Sequence, residues 1–152
     1  MIDAAYASGA KRVIWSGLQS IKEPSGGKYK NIDHFESKWQ VTLYGRKRFR
    51  GTGVAFINVD AGAYASNFTN EMRALFAPQP KGDGTYVLKS PVSANVKMPI
   101  IDMENDYGLF VRHAIESNEY AQGGEILTAS EMITLSDLVR QLSDGVYFKQ
   151  LY

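Results

Sequence analysis

Arg12-Val13-Ile14-Trp15-Ser16, Asn31-Ile32-Asp33-His34-Phe35-Glu36-Ser37-Lys38 and Val54-Ala55-Phe56-Ile57-Asn58-Val59 decide the fold. The first and third are short apolar runs with β-branched or aromatic content, each ending near a glycine or a polar residue. That pattern suits buried parallel strands. The second opens a helix, with Asp33 and Glu36 spaced as a capping box, so the helix is expected to start at His34. Phe35, Trp39 and Leu43 recur every four residues and should face the sheet, leaving His34 and Lys38 about 100° round from them. Gly45 or Gly51 ends the helix and its tail. Strand, helix, strand in this order is a βαβ crossover, expected to be right-handed.

Outward from this unit, Met1 to Ala10 read as the end of a helix with Gly9 as its cap. Beyond Val59, Asp60-Ala61-Gly62-Ala63-Tyr64 is a turn, followed by a helical stripe of Phe68, Met72, Leu75 and Phe76 that Pro78 and Pro80 stop. Lys81-Gly82-Asp83-Gly84 is a turn signal before a strand-like Thr85-Tyr86-Val87-Leu88. Ile100 and Ile101 lead to Asp102. Leu109, Phe110, Ala114 and Ile115 mark a helix ending before Gly123-Gly124, and Ile126-Leu127 a short strand. Leu135, Leu138, Val139 and Leu142 mark a last helix, capped by Thr134 and closed at Gly145. Alternating strands and helices give the α/β class.

Bulk properties narrow the function classes. The chain has 152 residues, 44% of them hydrophobic, enough for one core, and one domain over 1–152 is the expectation. It has no cysteine, which excludes a disulfide scaffold, a thiol nucleophile and a cysteine metal site. A formal charge of +1 argues against dedicated nucleic-acid binding. No signal peptide or apolar run of membrane-spanning length is present, so a cytoplasmic location without membrane attachment is expected, with the nucleus as the alternative.

Several residues carry chemistry. His34 and Lys38, four apart, lie on one helix face, and could serve a ligand along it as proton donor and as cation, although pairs at this spacing also occur on solvated faces. Ser16 ends a strand, where open α/β sheets bind ligands, and Gly17 leaves the backbone N–H beside it approachable. Gly26-Gly27-Lys28-Tyr29-Lys30 reads as a mobile loop facing phosphate or substrate, or as a flexible surface loop, and it lacks the GxxxxGK(S/T) pattern of a nucleotide-triphosphate site. Arg46, Lys47, Arg48 and Arg50 cluster at a helix C-terminus, where the dipole favours cations, and a nuclear signal or phosphate contact is the other reading. His113 and Glu116 lack a third partner, so no metal site is expected.

Lys11 to Leu18, Gly26 to Lys30, His34-Phe35-Glu36-Ser37-Lys38, Gly62-Ala63-Tyr64-Ala65-Ser66-Asn67-Phe68 and Met98 to Gly108 come in an order that resembles the NmrA-like branch of the atypical short-chain dehydrogenases/reductases. Those proteins have a strand ending in Ser, a Gly-Lys-Tyr loop, an HxxxK helix in place of YxxxK, and a GxYxxNF turn. The resemblance covers nearly the whole chain. It lacks the family's opening strand and GxxGxxG turn, whose N–H groups hold the cofactor pyrophosphate, and the family's C-terminal extension. Asp60-Ala61 stands where the family commonly has Arg-Pro, a departure in a turn that carries cofactor contacts.

The resemblance implies a truncated Rossmann-like fold, with a mostly parallel sheet flanked by helices. It implies an NAD(P)-dependent, reductase-type protein acting on a small organic substrate, with cofactor binding impaired in this short chain. Lys38, His34, Tyr29 and Ser16 would be catalytic; Lys38, Ser16, Gly17 and Gly62 would bind NADP or NAD; Tyr64 and Asn67 would meet the substrate. Two alternatives stand beside it: a regulatory, redox-sensing protein of the NmrA type that binds a partner protein, and a cofactor-free isomerase, dehydratase or cyclase. The uncovered flank of the Ser16 strand leads to an expected homodimer burying more than about 1,600 Å².

Overall fold

The computed structural model describes residues 1–68, 78–83, 86–90 and 93–144. In chain order its elements are α1 (Ile2–Ala7), β1 (Arg12–Gly17), α2 (Asp33–Phe49), β2 (Ala55–Asp60), β3 (Ala63–Tyr64), a 3-10 turn (Ala65–Phe68), β4 (Gln79–Pro80), β5 (Tyr86–Val87), β6 (Lys97–Ile101), α3 (Tyr107–Glu116), a second 3-10 turn (Asn118–Tyr120), β7 (Gly124–Leu127), β8 (Glu131–Thr134) and α4 (Leu135–Asp144). They fall into two units. The first comprises Met1–Ala61 with Tyr107–Thr128, the second Gly62–Asp106 with Ala129–Tyr152.

In the first unit three parallel strands stand in the order β1-β2-β7. All six residues of β2 are buried, as the apolar run at Val54–Val59 predicts. Because side chains alternate along a strand, Phe56, Asn58 and Asp60 point to one face and Ala55, Ile57 and Val59 to the other. Phe56 joins Phe49 of α2 and Ile2 of α1 in one apolar cluster. On the other face, the Tyr107 hydroxyl of α3 donates to the Val59 carbonyl (3.1 Å). The guanidinium of Arg12, at the start of β1, donates to the Ala114, Ile115 and Ser117 carbonyls, so a cation closes the C-terminus of α3.

At the C-terminus of α1, Gly9 has φ +72°; its N–H donates to the Tyr6 carbonyl and the Ala10 N–H to that of Ala5, a Schellman closure. Asp3 accepts from Tyr44 Oη (2.7 Å) and Arg48 Nε (3.2 Å), tying α1 to α2.

Two expectations for α2 are corrected. No capping box forms: the helix begins at Asp33, Ile32 is its N-cap, and no side chain caps it. Glu36 instead accepts from the Ile21 and Lys22 N–H groups (2.8 and 2.9 Å) and the Ser20 hydroxyl (3.1 Å). Two loop amides and a hydroxyl outcompete a single N–H at the helix start. The sheet-facing stripe is also rotated. Thr42, Gly45 and Phe49 are the buried positions, whereas Leu43 is exposed. The Phe56 ring fills the space beneath the helix so closely that a Cβ on Gly45 would lie 2.3 Å from it. The bulkier stripe cannot take that side. Gly51, at φ +72°, follows the end of the helix, while Gly45 lies inside it.

In the second unit β6 pairs in parallel with β3 and antiparallel with β8. β8 was not among the expected strands. Phe68, Ile133, Leu135 and Leu138 form the unit's core, with Met98, Ile100 and Leu142 against it. Thr134 caps α4 as expected: its hydroxyl accepts from the Asp137 N–H (3.0 Å) and donates to the Asp137 carboxylate (2.7 Å). Of the expected strand at 85–88, Tyr86 and Val87 form β5, paired antiparallel with β4, and Leu88 lies past its end. Met72, Leu75, Phe76, Gly84, Thr85 and Gly145 lie outside the described residues.

Adding a methyl at Gly45 opposes helix propensity against packing. Gly45→Ala gains about 1 kcal/mol of propensity yet collides with a buried ring, so we expect a net loss of about 1–2 kcal/mol. Gly108→Ala in α3, where a Cβ meets nothing within 4 Å, should gain up to about 1 kcal/mol. Urea denaturation of the two variants measures both signs.

Candidate functional site

Parallel strands present ligands at their carboxyl ends. In the first unit those ends are Ser16 and Gly17 on β1 and Asp60 on β2, paired in register as Ser16 with Val59 and Gly17 with Asp60. Lys38, in the second turn of α2, reaches this end: its Nζ donates to the Ser16 carbonyl (3.1 Å). Tyr107, the first residue of α3, comes from the opposite face. Its hydroxyl stands 2.8 Å from Ser16 Oγ and 3.1 Å from the Val59 carbonyl. A phenol has one proton; when it goes to Val59, the Ser16 hydroxyl can donate to the phenol oxygen in return. Ser16 is thus oriented from both layers while its side chain stays exposed.

His34 is exposed, its ring 4.6 Å from that of Phe35, and the imidazole makes no hydrogen bond among the described residues. Tyr29 is half exposed, with Lys28 Nζ 5.1 Å from its ring centre, in a loop that Gly26 and Gly27 turn with φ of +60° and +84°. The structure brings together Lys38, Ser16 and Gly17 of the expected set. It makes no hydrogen bond from His34 or Tyr29 to that group. Gly62, Tyr64 and Asn67 belong to the second unit, Tyr64 on β3 and Asn67 in the 3-10 turn after it.

Beside Ser16 lies a buried polar row that sequence reasoning did not find. Asn58 Nδ2 donates to Asp60 Oδ1 (2.8 Å) and Glu125 Oε1 (3.1 Å), and the Thr42 hydroxyl donates to Asn58 Oδ1 (3.4 Å). Arg46 closes the row on Glu125 (3.0 Å). Asp60 is 5% exposed, and its Oδ2 is buried with no hydrogen-bond partner among the described residues. Burial pushes its carboxyl up to about 6, with the neighbouring Glu125 adding to the rise and the Asn58 amide opposing it. A Cβ at Gly17 would sit 2.0 Å from Asn58 Oδ1, so this row requires the glycine after Ser16. In the loop before α2, the donated N–H groups hold Glu36 below the usual carboxylate range. Trp39 Nε1 donates to Glu23 there (2.9 Å).

No cluster of three metal-ligating side chains occurs among the described residues; His113 faces Glu119 (3.6 Å) and Glu116 pairs with Arg112. No helix among them is long and apolar enough to cross a membrane.

Residues 1–147 match the NmrA-like family. The chain belongs to the NmrA-like family. A curated relative, the nitrogen metabolite repression protein nmr of Neurospora crassa, is 26% identical over 148 residues, covering 96% of this chain and 29% of the relative. Among solved structures, Nmra, a negative transcriptional regulator, superposes with a TM-score of 0.76 at 22% identity, covering 95% of this chain and 44% of that one. Nmra in complex with NADP and with NAD superposes at 0.75 over the same shares. The expected Rossmann-like fold is therefore present. This NmrA-like chain spans less than half the length of these relatives.

A carboxyl whose folded pKa lies above its ordinary value of 3.8 binds its proton more tightly when folded. Asp60 therefore stabilises the fold less as pH rises from about 4 to about 6, and above that window carries a penalty on the order of 3 kcal/mol. Asp60→Asn keeps the acceptor for Asn58 and removes the charge. We expect it to unfold at higher urea than the native chain near pH 7 and at a similar concentration near pH 4, the difference growing through that window.

Proposed function

We propose that this NmrA-like chain takes part in sensing NADP or NAD and reports the bound state to a partner protein. The observation that carries the reading is the Lys38 ammonium docked on the Ser16 carbonyl at the carboxyl ends of parallel strands. One of its three N–H bonds is used there, leaving donors that would meet ribose hydroxyls, and Ser16 Oγ would be a partner for the nicotinamide end, with the Gly17 amide beside it. This donor set fits a nicotinamide nucleotide. When bound, such a nucleotide supplies a redox state that the protein can read.

A regulatory role is favoured over turnover because His34 stands in solvent without a relay partner among the described residues. The names of the relatives, a negative transcriptional regulator and a nitrogen metabolite repression protein, support the same reading. The Ser16–Tyr107 hydroxyl pair favours a second one, an NAD(P)-dependent reductase in which Ser16 positions a carbonyl, and Lys38 and either His34 or Tyr29 serve the proton. Consumption of NADPH with a small carbonyl substrate would decide for the reductase.

No G-x-x-G-x-x-G turn occurs among the 152 residues to hold a pyrophosphate. The chain by itself should therefore bind NADP or NAD in the millimolar range, on the order of 4 kcal/mol. Amide shifts at Ser16, Gly17 and Lys38 on titration with NADP should vanish in Lys38→Ala and persist in His34→Ala. Micromolar affinity by calorimetry, or equal shifts in both variants, would overturn this account.

For assembly we propose a homodimer across the outer edge of β1, which pairs with no strand among the described residues and whose first four residues are only half-buried. Light scattering should give twice the chain mass at micromolar concentration, and a monomer there removes the dimer.

A further inference from the structure

The first unit has a second concave site at the opposite, amino-terminal edge of its sheet. A cavity of about 310 Å³, at the lower end of the size of small-molecule pockets, opens between the end of α2 and the starts of β2 and β7. Its floor includes Phe49 and Phe56, whose rings stack with centres 5.8 Å apart and planes 15° from parallel. Its rim includes two guanidinium groups, Arg46 and Arg50.

The charges there are unequal. Arg46 is engaged with Glu125 at 3.0 Å, so its charge is largely answered. Arg50 is exposed and has no partner among the described residues. The C-terminal end of α2 adds about half a negative charge, which a full guanidinium charge exceeds. The Phe49 carbonyl at that end is already met twice by Thr52, through its N–H (3.2 Å) and its hydroxyl (2.7 Å). Gly51 and Gly53 also line the cavity, both with positive φ and with nothing within 4 Å of the place a Cβ would take. Their N–H groups make no hydrogen bond among the described residues. An apolar floor under a cationic rim with spare amide donors is complementary to an anion carried on a flat apolar body.

We propose that this cavity binds a small organic anion, a carboxylate or phosphate monoester on an aromatic or aliphatic body, with Arg50 as the charge partner and Phe49 and Phe56 as the apolar floor. The site is separate from the Ser16–Lys38 end of the sheet, and its occupation does not depend on NADP or NAD.

The test is an amide-shift titration of the 152-residue chain at fixed ionic strength with four probes: phenyl phosphate, benzoate, inorganic phosphate and benzyl alcohol. Phenyl phosphate, benzoate or both should shift Gly51, Gly53 and Gly123 saturably at millimolar concentration or below, and the tighter of the two names the natural head group. Inorganic phosphate, lacking the body, should bind at least about tenfold more weakly, and neutral benzyl alcohol should not saturate. Arg50→Gln, a change at an exposed position, should weaken the aryl anions about tenfold, while Lys11→Gln should not. Inorganic phosphate binding as well as the aryl anions would reduce the site to a surface charge and overturn the proposal. So would aryl anions that fail to saturate, or that bind Arg50→Gln unchanged.

Discussion

Complete burial of β2 is the constraint on which the rest of the first unit depends. A strand with no exposed residue has to be paired on both edges and covered on both faces, so β1 and β7 flank it and helices take both sides. Ile57 and Val59 are wholly removed from water, each contributing roughly 1.5–3 kcal/mol. The same burial fixes where small residues must stand. Gly45 lets α2 settle on the Phe56 ring, and Gly17 lets β1 pass the Asn58 amide. Because α2 lies this close, the Lys38 side chain can reach the Ser16 carbonyl at the strand end.

A second consequence follows from polar residues on a strand without solvent. Asn58 is wholly buried, and its amide makes three hydrogen bonds, to Thr42, Asp60 and Glu125. That satisfies the amide but leaves Asp60 Oδ2 without a partner among the described residues, an arrangement that disfavours the charged carboxylate. The Arg46–Glu125 pair does not repay it, because both side chains are about one third exposed and water screens them. Stability is thus given up at the carboxyl end of β2, beside the side chains that form the candidate site. Local conflicts of this kind concentrate where a fold is used rather than where it is only held together.

The sequence made the βαβ unit, the Gly9 closure and the Thr134 cap legible because each depends on neighbours along the chain. What it hid depends on distance. The helix face was misread since Phe35, Trp39 and Leu43 are the more apolar stripe, and only the Phe56 ring, far along the chain, makes Thr42 and Gly45 the better fit. The spacing of Asp33 and Glu36 is that of a capping box, yet Glu36 finds better donors in the loop at Ile21 and Lys22. β8 ran straight into the cap of α4 and was absorbed by that signal. At the site, Ser16 and Lys38 could be read from their resemblance to a family pattern. Tyr107 and Glu125 could not, since their partners are set by the layers and register of the sheet.

Helix α2 carries this logic to both ends of the sheet. Its 17 residues span roughly 25 Å, with Lys38 near the start and Arg46 at the finish. The loop amides on Glu36 hold its first turns, and Asp3 with Tyr44 and Arg48 holds its last. A helix fixed at both ends holds Lys38 at one edge of the sheet and Arg46 at the other in a set relation. Between the two edges the Thr42 hydroxyl meets the Asn58 amide, a polar contact that ties α2 to β2, and Asn58 passes it on to Asp60 at the carboxyl end of the strand.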